Sequence, residues 1–153
     1  EFRRVLFRSG LASMCRSDMT EPVHEGIPVV VLDTIGELGR LYSLGDIIFV
    51  GGSLVKTGGH NILEPAAHGK PIIVGPYMFN FKDIFALLNN FKACVSIKDG
   101  KALTAKVLEL CENKDLAQEM SQNCITLMHE NRGATQRNIQ EIRKLFESLH
   151  IIP

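Results

Sequence analysis

DIIFVGGSLVKTGGHNILEPAAHGKPIIVGP, residues Asp46 to Pro76, decides how the whole chain is read. It opens on an apolar run that stops at Gly51-Gly52. A second pair, Gly58-Gly59, leads through His60, Asn61 and Glu64 into a short helical pattern that stops at Gly69. A second apolar run then closes at Pro76. Strand, glycine turn, helix and strand in that order form a crossover unit, the connection that parallel strands require. Glycines at a strand end permit a tight turn and close approach of a ligand to the backbone. The pairs therefore have two readings. They shape βα turns and nothing more, or they open an anion site at the first amides of the helix, which lack intrahelical partners. Asn61 caps the helix or donates to a phosphate oxygen. Glu64, one turn in, would repel a phosphate, and suits the hydroxyls of a ribose instead. The second reading makes the segment a phosphate and ribose clamp. It is neither a P-loop nor a G-x-G-x-x-G fingerprint.

The alternation continues on both sides. Ile27 to Asp33 is a β-branched apolar run, read as a buried strand, with Asp33 placed to cap the next helix. Thr34 and Glu37 have capping-box spacing before a short stripe of Leu38, Leu41 and Tyr42. Tyr42 and Phe49 read as core residues. Phe81 to Phe91 reads as a helix burying Ile84, Phe85, Leu87 and Leu88, and Ala93 to Ile97 as a further strand. Asn80 and Phe81 open that helix beside the same strand ends, as substrate neighbours or, for Phe81, as core. Three amphipathic helices close the chain. Their stripes are Leu103, Val107, Leu108 and Cys111; then Leu116, Met120, Cys124, Leu127 and Met128; then Ile139, Ile142, Leu145, Phe146 and Leu149. The class is α/β: a Rossmann-like parallel sheet with helices on both faces, ending in three helices. In such sheets ligands bind beyond the carboxyl ends of the strands, where these glycines collect.

The totals bound the function. The 153 residues suffice for one domain with a core, and 45% hydrophobic with 22% charged residues is ordinary for a globular protein. Seventeen Lys and Arg balance seventeen Asp and Glu, which argues against a nucleic-acid partner. The cysteines, Cys15, Cys94, Cys111 and Cys124, have no metal-site spacing and read as reduced packing residues of a cytosolic protein. No metal site and no cofactor is expected. No apolar run reaches membrane-spanning length, so the chain reads as soluble. Residues 1–10, EFRRVLFRSG, join no downstream pattern and read as a non-native segment; residues 11–153 read as a partial domain.

Three stretches in this order, DTIGELGRLY, FVGGSLVKTGGHNILEPAAHGKPIIVGP and the pair Asn80-Phe81, followed by NRGATQRN, resemble the 3-deoxy-D-manno-octulosonic acid (Kdo) transferases of lipopolysaccharide synthesis. The resemblance covers roughly Cys15 to Leu149. It implies an inverting, metal-independent GT-B glycosyltransferase with two Rossmann-like domains, of which this chain is the C-terminal, donor-binding one. The implied donor is CMP-Kdo and the implied acceptor is lipid A precursor, held by an N-terminal domain that also supplies the catalytic base. No residue of this chain is therefore a catalytic candidate, and the chain alone is expected to be inactive. The implied location of the full-length enzyme is the cytoplasmic face of the inner membrane. By position, Thr34, Ile35, Gly36 and Glu37 match the family loop beside the nucleotide. Gly51, Gly52 and Ser53 match the glycine-rich turn. Gly58, Gly59, His60 and Asn61 match the helix terminus that faces the donor, and Glu64 the carboxylate that takes the ribose. Ile35 stands where the family often has Met, and Ile62 where it often has Pro. Open alternatives are another GT-B nucleotide-sugar enzyme, a UDP-sugar transferase or epimerase, and a non-catalytic nucleotide-binding module.

Overall fold

The computed structural model describes residue 8 and residues 10–20, 29–131 and 133–149. The segment read as non-native lies outside these residues except for Arg8 and Gly10. The chain divides into two compact units, Glu1–Leu41 and Tyr42–Pro153.

In the first unit β1 (Ser13–Cys15) pairs in parallel with β2 (Val29–Val31), Met14 opposite Val30. A short helix α1 (Leu38–Leu41) follows. The run read as a buried strand from Ile27 is strand from Val29 and is not buried, with Val30 43% exposed and its two neighbours only half-buried; Ile27 and Pro28 lie outside the described residues. The sequence pattern does not mark β1 at all. Three residues, Ser-Met-Cys, are too short to show an alternation, and only their pairing with β2 makes them a strand.

The second unit carries the site. Its parallel sheet runs β3 (Ile48–Val50), β4 (Ile72–Val74), β5 (Cys94–Ser96), with β4 central. Helix α2 (Leu63–Ala67) crosses from β3 to β4, and α3 (Lys82–Asn90) from β4 to β5. Then come α4 (Gly100–Glu112), α5 (Lys114–Glu130) and α6 (Ala134–Ser148). The strands alternate as period two demands. Ile72 and Val74 enter one core with Ile62, Ala66, Leu88 and Leu127; Ile73 enters another with Leu110 and Met120. All three β4 residues are fully buried, so helices cover both faces, as the α/β reading requires. Helix α5 serves both cores, Met120 on one side and Cys124 and Leu127 on the other.

Side-chain directions correct several expectations. In α3, Ile84, Phe85 and Leu88 pack on the core, but Leu87 is exposed. At 3.6 residues per turn it stands about 100° from the centre of that stripe. In α4 the inward stripe is Leu103, Val107 and Leu110; Leu108 and Cys111 face out. The spacing i, i+4, i+7 holds one face, and residues 108 and 111 lie beside it. Phe49 is on the opposite face of the edge strand from Ile48 and Val50 and is 36% exposed. Ile139, Ile142, Phe146 and Leu149 of the last helical stripe are exposed. The cysteines are free. Burial pushes the Cys94 thiol up to about 12 and the Cys124 thiol up to about 11, which keeps both as unreactive core groups.

Candidate functional site

The glycine loops sit at the carboxyl end of β3, beside the carboxyl end of β4. Ser53 is the pin. It is fully buried, its hydroxyl donates to the Val50 carbonyl at 2.5 Å, and it accepts the Gly75 N–H at 2.7 Å. The Ser53 carbonyl takes the Tyr77 N–H at 2.9 Å. The side chain matched to the ligand-facing turn thus faces protein, and holds the end of β3 against the end of β4.

From that pin the loop runs out and folds back. The Gly52 carbonyl accepts the Gly59 N–H at 3.1 Å and the Thr57 hydroxyl. Gly58 (φ +95°) and Gly59 (φ +74°) lie in the left-handed region, where any other residue is strained. The His60 imidazole lies over Gly52, where an added Cβ would meet its Nε2 at 3.1 Å.

The helix begins later than the sequence suggests, at Leu63 instead of His60 or Asn61. Asn61 sets the start. Its Oδ1 accepts the Leu63 N–H at 3.0 Å, while its Nδ2 donates to Glu64 Oε1 at 3.0 Å. Asn61 therefore turns the chain into the helix and orients Glu64 at once. Glu64 is exposed, with one carboxylate oxygen held. Among the described residues the backbone N–H groups of His60 and Asn61 make no hydrogen bond. The helix closes with the Lys70 N–H on the Pro65 carbonyl, and Gly69 lies against Ile125 of α5.

Tyr42, read as core, is half-buried with its ring 6.5 Å from that of His68. Burial and then the Glu64 carboxylate hold its phenol above the ordinary 10.0, so its neutral hydroxyl belongs to the surroundings of Glu64. Two hollows of this unit lie elsewhere. One of about 300 Å³ is floored by Ile47, Pro71 and Leu110, and another lies where α4 meets α5.

The remaining predicted residues lie in the first unit and form a cluster of their own. The Thr34 hydroxyl donates to Glu37 Oε2, and Arg16 Nη2 donates to Glu37 Oε1 at 3.1 Å. The Thr34 bond first, then the Arg16 charge, hold the Glu37 carboxyl below its usual range. The capping box is thus replaced by a bond between the two side chains. Gly36 makes the turn (φ +89°) and Ile35 is wholly exposed. Asp33 caps no helix: it accepts the Ser17 N–H at 2.9 Å and the Ser17 hydroxyl at 2.6 Å, which hold its carboxyl below 3.8. A depressed carboxyl keeps these bonds above the ordinary value and loses them as pH falls through the lower folded value. The Ser17 amide proton is therefore expected to lose its bonded chemical shift with a midpoint below 3.8, the ordinary carboxyl value. A midpoint above that value in an NMR titration refutes the bonding.

No family model matches the chain. Over 133 residues, 86% of its length, it is 37% identical to the 3-deoxy-D-manno-octulosonic acid transferase of Haemophilus influenzae. Over 134 residues, 88% of its length, it is 33% identical to the transferase of that name from Bordetella pertussis. The crystal structure of the C-terminal CMP-Kdo binding domain of WaaA from Acinetobacter baumannii matches with a TM-score of 0.77 and 29% identity, over 82% of this chain and 65% of that one. The chain belongs to the Kdo transferase family.

Its span is 31% of the length of each of those two Kdo transferases. Within that span the structure brings Gly51, Gly52, Ser53, Gly58, Gly59, His60, Asn61 and Glu64 into one loop-helix corner, and Thr34 to Glu37 into a second cluster. Arg16 escapes sequence reading because 21 residues separate it from Glu37. Among the described residues, no helix is long and apolar enough to cross a membrane.

Proposed function

We propose that this chain is the donor-binding part of a GT-B enzyme that moves Kdo from CMP-Kdo to lipid A precursor. The observation that carries the reading is the Gly58–Glu64 corner, in a chain whose fold matches a CMP-Kdo binding domain. The two N–H groups at His60 and Asn61 suit the phosphate of CMP. The Glu64 carboxylate, oriented by Asn61, suits the ribose hydroxyls.

In the proposed reaction an acceptor hydroxyl oxygen attacks the anomeric carbon of Kdo from the face opposite the phosphate, so the configuration inverts. The carbon–oxygen bond to the phosphate breaks, and CMP leaves with the electron pair. The acceptor proton passes to a carboxylate of the N-terminal domain, which this chain does not supply. Charge builds on the departing phosphate oxygen, and preorganised N–H donors stabilise it there. The sequence has no Asp-x-Asp motif for a metal-bound nucleotide, which supports a metal-independent reaction. Such an enzyme works at the cytoplasmic face of the inner membrane, where its lipid acceptor lies.

Calorimetric titration of the 153-residue chain with CMP, UMP and UDP tests the reading. CMP is expected to bind at least about tenfold more tightly than UMP, a difference of one or two hydrogen bonds to the base. A preference for uridine nucleotides would replace the donor with a UDP-sugar. Absence of binding to the folded chain would overturn the site.

A further inference from the structure

We infer that Asn80 is a positioning residue for the donor site: it holds the Gly58–Gly59 corner from outside and so sets where the His60 and Asn61 N–H groups point. The inference rests on the donor-site reading above. Asn80 lies in the single-turn helix Phe79–Phe81 after β4 and is exposed. It makes two bonds to the glycine loop. Its backbone N–H donates to the Gly58 carbonyl at 3.3 Å, and its Nδ2 to the Thr57 carbonyl at 3.2 Å. On the other side the Gly52 carbonyl takes the Gly59 N–H and the Thr57 hydroxyl. Thr57 to Gly59 are thus tied on both flanks, and the next two N–H groups make no hydrogen bond among the described residues.

The corner and its brace are shaped to each other. A Cβ on Gly58 would run into the Asn80 amide, and one on Gly59 into the Met78 sulfur. Met78 is buried in the core, so the brace is anchored through the fold. An exposed asparagine that directs its backbone N–H and its side-chain amide at another loop's carbonyls adds little to core burial. What it fixes is direction. A carbonyl held at residue 58 limits how the peptide planes of residues 59 to 61 rotate, and preorganised donors bind an anion without first being ordered.

The test is a CMP titration of the 153-residue chain and Asn80→Ala, monitored by calorimetry and by amide resonances. In the parent chain the His60 and Asn61 amides are expected to shift on adding CMP, while the Leu127 amide stays still. In Asn80→Ala the two amides are displaced before CMP is added, and affinity falls about tenfold. Equal affinity in the variant, with the parent shifts intact, overturns the positioning role and leaves the donor site standing. CMP binding that leaves the His60 and Asn61 amides unmoved in the parent overturns both. Should Asn80→Ala melt well below the parent, Asn80→Asp decides by the same readouts: it keeps the side-chain shape but cannot donate to Thr57.

Discussion

Gly75→Ala is expected to lower the melting temperature of the chain by about 10 °C or more, while Gly51→Ala leaves it within about 2 °C. Both glycines belong to the same motif, and the difference lies in what surrounds them. A Cβ on Gly51 meets nothing within 4 Å. A Cβ on Gly75 would run into the carbonyl group of Ser53 and reach Leu54 N at 2.6 Å. These are backbone atoms and cannot rotate away. The methyl group must part the ends of β3 and β4, which also breaks the Gly75 N–H bond to Ser53 and the Tyr77 N–H bond to the Ser53 carbonyl. Overpacking at about 1–3 kcal/mol and two lost hydrogen bonds at about 1 kcal/mol each sum to about 3–5 kcal/mol. That is a large share of the stability of a domain this size. Equal melting curves for Gly75→Ala and the parent in thermal denaturation would refute the close crossing of the two strand ends.

Glu64→Ala is expected to weaken CMP binding by about 30-fold or more without moving the melting temperature. The size reflects hydrogen bonds to a charged group, about 1.5–3 kcal/mol each, at about 1.4 kcal/mol per factor of ten. The fold should not notice, because Glu64 is exposed and its carboxylate bonds to the neighbouring Asn61. The sharper measurement compares CMP with 2′-deoxy-CMP. A carboxylate that accepts from the ribose diol makes the parent chain prefer CMP, and the preference should vanish in Glu64→Ala. Glu64→Gln, which keeps an acceptor but loses the charge, should fall between. A variant that binds both nucleotides as the parent does would remove the ribose from Glu64.

Much of the fold was legible in the letters. The short apolar runs at 48–50 and 72–74, bounded by glycine and proline, announced strands because both signals fall within the reach of a short window. Gly69 announced the end of a helix, and the stripe of α5 announced its inward face, because both are local signals. The resemblance to Kdo transferases rested on residue types in fixed order, and a linear comparison suits such features. Less legible is a contact set by something far along the chain: the Ser53 hydroxyl accepts the Gly75 N–H, 22 residues on. Leu108 and Cys111 read as core because periodicity gives a stripe but not which edge of it turns inward.

From the residues alone came the order of strands and helices after β1, the glycine-rich corner between them, and the family. Those depend on intervals of a few residues, which backbone geometry repeats identically in every protein. The folded chain added which glycine is dictated by a crossing backbone, that Arg16 meets Glu37, and that Asn80 braces a loop more than twenty residues before it. Such facts are made by contacts between segments that only packing brings together. A hydrogen bond across 21 or 23 residues leaves no periodic trace in the letters between its ends.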